Sequence, residues 1–228
     1  MRGRGFLIIW SDIDLRLETD YIHWLTREHT AERVSTDGFI AVRVFRALMA
    51  NARRYLINYE LESAAVVNAP AYVAKLNNPT PWTRRTLPRL KNFVRGGGQV
   101  THAAGMGQGG FVTALALAGP IPIEIGEAVK ALAQCDRIAA VRMYQTDQSR
   151  TAVGSKEKEL RIATPGADDR SFSGVLFIEG TDEDALRAAT ARLARSHPQI
   201  GRNSTMEALI YASVFTLERR TLENDHEA

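Results

Sequence analysis

The sequence predicts an α+β protein made of two tandem ferredoxin-like β-α-β-β-α-β units packed sheet to sheet. Three observations carry this. Strand-like and helix-like segments in the first half follow the order β-α-β-β-α-β, and the second half repeats that order. Segment pairs also match between the halves, in the same sequence. "DGFIAVRVFR" (37–46) aligns with "DRIAAVRMYQ" (136–145), "GFLIIW" (5–10) with "GFVTAL" (110–115), and "LINYELESAAVV" (56–67) with "VLFIEGTDEDAL" (175–186). In the first pair Asp, Ala, Val and Arg coincide, and Phe45 faces Tyr144. Finally, a lone ferredoxin-like unit leaves one sheet face in need of a partner, and a fused second copy supplies it. The expected division is a first unit over 1–104, a Gly-rich linker over 105–109, a second unit over 110–222 and a tail over 223–228.

Each element has its own signal. "GFLIIWSDI" (5–13) is apolar and β-branched enough for a buried strand. Residues 18–35 show helical spacing, with Ile22, Leu25 and His29 near one stripe and Tyr21, Trp24 and Glu28 on the adjoining one. "GFIAVRVFRALM" (38–49) alternates, with Ile40, Val42 and Val44 facing one way and Ala41, Arg43 and Phe45 the other. A third strand covers 53–63, and a helix over 62–78 is interrupted or restarted at Pro70. "NPTPWTRRTLPRL" reads as a Pro-punctuated connection, and "KNFVRGGGQVTHAAGMG" as a fourth strand ending in a Gly-rich turn. In the second half, a helix falls near 123–134, and a long polar connection over 146–172 reads as a flap-like loop. "TDEDALRAATARLARSH" (181–197) is the clearest helix, with Thr181 or Asp182 as N-cap, and "EALIYASVFTLERR" (207–220) is the last strand.

Composition excludes several classes. The chain has 228 residues, 45% hydrophobic and 24% charged, with a formal net charge of +3. Its basic residues are scattered; the densest group, Arg84, Arg85, Arg89, Lys91 and Arg95, is too small for a nucleic-acid stripe. No segment reaches the roughly 18 apolar residues of a membrane span. "MRGRGFLIIW" runs straight into "SDID" with no small-residue cleavage site, so it reads as a first strand and not a leader. The single cysteine, Cys135, rules out an intrachain disulfide, reads as a small buried apolar residue, and points to the cytoplasm. No P-loop, GxGxxG or GxSxG motif is present.

Chemistry-bearing residues concentrate in "HWLTREHTAERV" (23–34). At 100° per residue, Glu28 stands one turn from Trp24 and Glu32, and His29 one turn from Leu25 and Arg33. The bland reading is a solvated face in Glu32 and Arg33, a core Trp24, and a structural His29. A metal on Glu28, His29 and Glu32, joined by His102, lacks a second ligand pair at the right spacing, so no metal is expected. His23 points away from His29, toward solvent, and His197 sits at a helix C-terminus, where the dipole alone favours it.

The pattern W-x-x-x-E-H-x-x-E-R followed by GF-x-x-x-R-x-x-R resembles the dimeric α/β-barrel superfamily in its fused form, and within it the EthD-like catabolic proteins. It is carried by Trp24, Glu28, His29, Glu32, Arg33, Gly38, Phe39, Arg43 and Arg46. The superfamily holds cofactor-free monooxygenases, isomerases, cyclases, lyases, decarboxylases and haem enzymes, so fold does not choose the chemistry. The second half departs from the pattern: its first helix has no His and no Trp. The resemblance places a pocket between the helices and the sheet of the first unit. There His29 would be a base and Glu28 its orienter. Tyr21, Trp24, Arg43, Tyr59 and Trp82 would bind substrate, and Arg85 would meet an anion. Trp10 and Tyr55 would add to the sheet side. The expected function is cofactor-independent proton-transfer chemistry on a small aromatic or carboxylated catabolic intermediate, lyase or isomerase ahead of oxygenase. The rivals are a non-catalytic small-molecule-binding or accessory protein, and a haem protein. The expected partner is a small-molecule substrate; exposed sheet edges also admit a homodimer.

Overall fold

A computed structural model describes residues 3–48, 54–151, 154–162, 171–202, 204 and 208–224. The first repeat runs β1 (Gly5–Asp12), α1 (Glu18–Trp24), a π-helical turn (Leu25–His29), α2 (Thr30–Val34), β2 (Phe39–Ala47), β3 (Arg54–Leu61), α3 (Pro70–Asn77), α4 (Pro81–Thr86) and β4 (Lys91–Gly105). The second runs β5 (Phe111–Leu117), α5 (Ile125–Ala133), β6 (Ile138–Thr146), α6 (Gln148–Thr151), α7 (Lys156–Ile162), β7 (Gly174–Gly180), α8 (Glu183–Ser196), α9 (Pro198–Arg202), β8 (Ile210–Glu218) and α10 (Arg219–Asn224).

The strands close into one antiparallel barrel in the order β1-β3-β2-β8-β5-β7-β6-β4. Read from β4, the first four strands stand 4-1-3-2, and β8-β5-β7-β6 repeats that order. Two seams join the repeats, β2 to β8 and β4 to β6, and both are antiparallel. Each seam pairs the second strand of one unit with the fourth of the other, so neither sheet has a free edge to protect.

Period-2 alternation divides the strand side chains between two environments. Phe6, Ile8, Trp10, Phe45, Leu56, Val112, Ala114, Tyr144, Val175 and Phe177 point inward and fill the barrel. Leu7, Ile9, Val42, Val44, Tyr55, Ile57 and Tyr59 point outward, under the helices of the first repeat. The outer face of the second sheet is packed by Ala128, Val129, Leu132, Ala185, Leu186, Ala189 and Leu193 of α5 and α8.

Several boundaries differ from the sequence reading. The Pro-punctuated connection contains α4, because Thr80 caps it by accepting from the Thr83 amide at 3.0 Å and Pro81 occupies its first turn. "GGGQVTHAAG" is the middle and end of the long β4, and Gly96 leaves room there for the Phe172 ring. The connection after β6 carries α6 and α7. α7 packs on α3, and Phe172 is buried in the barrel against Trp10, 5.5 Å between ring centres. Residues 152, 153 and 163–170 of that connection lie outside the described residues, as do 225–228 of the tail. Cys135 is half-buried, its thiol 3.7 Å from the Ala131 carbonyl. Among the described residues, no helix is long and apolar enough to cross a membrane.

Candidate functional site

The π turn decides which side chains meet. Its wider winding lets the Thr30 amide bond the Leu25 carbonyl five residues back, and the Thr30 hydroxyl donates to the same oxygen at 2.7 Å. One extra residue enters the turn, so the helical phase slips. Trp24 therefore lies over His29, five positions on, with ring centres 4.1 Å apart and planes 30° from parallel. Glu28 swings outward instead. It accepts from the Thr80 hydroxyl at 2.6 Å and fastens the start of α4, so it does not orient the imidazole.

His29 is buried, and its Nδ1 has no hydrogen-bond partner among the described residues. Burial, and then the charges of Arg33 and Arg161, hold its pKa well below the ordinary histidine value. The imidazole is neutral at neutral pH. One turn on, Arg33 is 2% exposed and gives Nη2 to the buried carboxylate of Glu157 on α7. Its Nη1 lies 3.3 Å from a Glu32 oxygen but makes no hydrogen bond. The Arg33 guanidinium sits 5.6 Å from the Tyr72 ring centre. Tyr59 stands on the outward face of β3, edge-on to Phe39, and its buried hydroxyl also lacks a partner. Burial pushes that hydroxyl's pKa far up, so it remains a donor. Arg161 closes the group, 4.3 Å above the Phe93 ring and 3.9 Å from Glu157; burial and then Arg95 lower its pKa to about 10.

An unpaired buried polar atom costs about 1–3 kcal/mol. Two of them, His29 Nδ1 and Tyr59 Oη, lie within the field of the Arg33 guanidinium, whose Nη1 is ion-paired with Glu32 but makes no hydrogen bond.

The other expected residues are distributed differently. Trp24 gives its indole N–H to Thr83 at 3.1 Å, and Tyr21 shares a 2.9 Å bond with Ser11 and packs on Trp24 and Tyr55; both wall the site. Trp82 and Arg85 are not in it. Trp82 donates to Asp20 at 3.2 Å, and the exposed Arg85 stacks on Trp82 at 4.9 Å and faces Asp20 at 3.8 Å, so neither meets an anion beside His29. Arg43 and Trp10 point into the barrel, on the opposite face of the sheet from His29, because their strand positions alternate with those of Val42 and Ile9. Arg43 and Arg142 each give Nη1 to one buried carboxylate, Glu179, and Arg43 Nη2 donates to the Gly109 carbonyl at 2.6 Å. These residues line a cleft of about 20 Å³ at one end of the barrel, with Asn58, Glu60, Gln108 and Tyr144. That is room for about one water molecule, too little for an organic substrate.

Arg33, Glu157 and Arg161 were not among the expected site residues. Arg33 stands four residues after His29, a spacing that reads equally as a surface charge. Glu157 and Arg161 come from the other repeat's long connection, where no local pattern ties them to the first.

Among the described residues, His29 is the one buried histidine, its ring stacked on Trp24, and apolar side chains of α5 and α8 cover the second sheet's outer face. His102 is exposed and His197 half-buried, and each bonds its preceding neighbour. Among the described residues, no three His, Cys, Asp or Glu side chains cluster as metal ligands.

No family model and no curated protein matches the chain. Solved structures do. An anthrone oxidase-like protein superposes with a TM-score of 0.60 at 12% identity, over 96% of this chain and 94% of that one. A candidate monooxygenase from Fusobacterium nucleatum gives 0.53 at 10%, over 96% of each chain. Chlorite dismutase from Candidatus Nitrospira defluvii gives 0.52 at 9%, over 100% and 97%. The fold is the dimeric α/β barrel. Here one chain closes it.

Proposed function

We propose that this protein is an enzyme that takes a proton from a small aromatic or enolisable molecule, with His29 as the base. The observation that carries this is the buried, neutral imidazole whose Nδ1 has no partner and whose neighbour is the Arg33 guanidinium. A base must be unprotonated at working pH, and burial with two flanking cations keeps His29 so. The same cations favour the other half of the reaction. As the C–H or O–H proton passes to the imidazole, its electron pair stays on the substrate, and Arg33 faces the developing anion. Tyr59, whose buried hydroxyl has no partner among the described residues, would donate to it. Trp24 and Tyr21 offer flat apolar walls.

The anion then has three fates. It can be reprotonated at another carbon, expel a leaving group, or pass electrons to dioxygen. The names of two similar structures, an anthrone oxidase-like protein and a candidate monooxygenase, support the third. For an anthrone the balance is methylene plus O2 to ketone plus water, with no further reductant. The EthD-like kinship and the lyase or isomerase branch stay within this proposal as alternatives for the anion's fate.

Anthrone in D2O under nitrogen is the test, with exchange at its methylene followed by NMR. Wild-type protein should accelerate exchange, and His29→Gln should lose about 10²–10⁴-fold of that acceleration while anthrone still quenches tryptophan fluorescence. Equal exchange by both proteins would remove His29 as the base. Binding without exchange by the wild type would leave a non-catalytic binding protein.

A further inference from the structure

We infer that α7 is a lid over the His29 site: it docks on the first repeat as a separate unit, and its undocking uncovers the imidazole for a substrate. The inference rests on reading His29 as part of a site. It deepens that reading by naming the element that admits the substrate.

The need for a moving part comes from burial. His29 is 8% exposed, its Nδ1 is buried, and its ring is stacked on Trp24. A molecule that gives a proton to this nitrogen must come within hydrogen-bond reach of it, so a covering element has to leave first. α7 stands over that region. Its Glu157 accepts from Arg33, one turn on from His29. Its Arg161 lies above the Phe93 ring, and the charge of Arg161 is among those that depress the His29 pKa.

The apolar contacts single out α7 as the element that moves. The helical segment over 18–34 sinks Tyr21, Trp24, Leu25 and Val34 into the core of the first repeat. α3 adds Tyr72 and Leu76, and the turn at 87–90 adds Leu87 and Leu90, all buried. Among the described residues of α7, that core receives Leu160, only partly buried, while Ile162 is 58% exposed. The rest of the docked face is polar. The buried Glu157 engages Arg33, Arg161 stands on Phe93, and the Lys156 amide donates to the Asn77 side chain of α3 at 3.2 Å. Undocking rehydrates both partners of the ion pair, which offsets much of the lost attraction. A helix of seven residues is also too short to be stable in water by itself. An element with so few buried apolar contacts opens at lower free energy than the core beneath it.

The lid can leave without disturbing the barrel. His29 belongs to the first repeat, while α7 arrives on the connection between β6 and β7 of the second. Both ends of that connection are fastened to strands: the Asp147 amide donates to the Gly97 carbonyl at 2.9 Å, and the Ser173 amide to the Leu117 carbonyl at 2.7 Å. Phe172 adds an apolar anchor against Trp10. β6 and β7 themselves stay paired from Ile138 to Gln145 whatever α7 does. One repeat thereby supplies the cover for the other repeat's site, a task that falls to the long connection.

Two measurements on the whole protein test the lid. One is amide hydrogen exchange by mass spectrometry. The other is the rate at which diethyl pyrocarbonate modifies His29, with the exposed His102 as internal reference. In the wild type, the amides of α7 should exchange at least about 10-fold faster than those of α3. Glu157→Gln should speed exchange in α7 and modification of His29 by the same factor, at least about fivefold, and leave the amides of β3 and the His102 rate unchanged. Leu160→Ala weakens the same face without touching a charge and should act the same way; it carries the test where Glu157→Gln fails to fold. Three results would overturn the inference: α7 amides as protected as those of α3, His29 modified as fast as His102 in the wild type, or α7 exchange that accelerates while His29 modification does not. The lid fails separately from the proton-transfer reading. Methylene exchange of anthrone with α7 fixed in place retires the lid and keeps the base, whereas a lid that opens onto His29 without any exchange catalysis retires the base and keeps the lid.

Discussion

Replacing Glu179 by Ala should be the most damaging single change inside the barrel. Glu179 is 2% exposed and accepts from Arg43 of β2, Arg142 of β6 and the Gly109 amide at 3.1 Å. It thus ties the first sheet, the second sheet and the segment between them. Removing it strands two guanidiniums whose side chains are 9% and 7% exposed. Breaking a buried ion pair from one side costs about 3–5 kcal/mol. The small cleft beside the triad admits some water, which places the expectation at about 4 kcal/mol. For a chain of this size each kcal/mol moves Tm by about 2–4 °C, so thermal unfolding by circular dichroism should show a fall of about 8–16 °C. The triple variant Arg43→Met, Arg142→Met, Glu179→Leu leaves no stranded charge and should recover most of the loss. A Glu179→Ala cost below about 1 kcal/mol would refute the reasoning: the arginines would then be solvated at the barrel mouth and the triad would not be what joins the repeats.

Other consequences are smaller and equally direct. The His29 pKa is lower in the folded than in the unfolded protein, so between that value and about 6.5 the unfolded state binds the extra proton. Stability should therefore be complete above pH 6.5 and fall as pH drops through this window, by up to about 1.4 kcal/mol per pH unit, and in urea titrations His29→Gln should remove that slope. Thr80→Ala deletes both the cap of α4 and the hydroxyl that Glu28 holds, and should cost about 1–2 kcal/mol by chemical denaturation. Gly96→Ala places a Cβ 2.2 Å from the Phe172 ring and should cost about 1–3 kcal/mol, and Phe172→Leu in the same chain should relieve it.

The fold was legible because the repeat carries its own evidence. The coincidence of Arg43 with Arg142 and of Glu60 with Glu179 in the aligned segments marks positions that the structure brings to one end of the barrel. The partner of Arg43 was not legible. Period-2 spacing says that Arg43 and Val42 face opposite ways, but not that the carboxylate reaching Arg43 comes from the other repeat. Of the expected site residues, Tyr21, Trp24 and His29 stand on one helical segment and Tyr59 on the sheet face it covers. Glu28 was misplaced because 100° per residue assumes an unbroken α-helix, and the π turn at Leu25–His29 shifts the phase by one residue. Trp82 and Arg85 were drawn toward the pocket by composition alone, whereas Asp20 holds both at the surface. Arg161 was out of reach of any local reading, since only the closure of the barrel carries α7 onto α3.

The most direct test of the central claim is a crystal structure of the protein soaked with anthrone under nitrogen. Density should lie beside His29, with the methylene carbon toward Nδ1 and the rings against Trp24. An imidazole found hydrogen-bonded to a fixed protein acceptor, with no anthrone beside it, would contradict it. Residues 23–34 would then be an ordinary supporting helix.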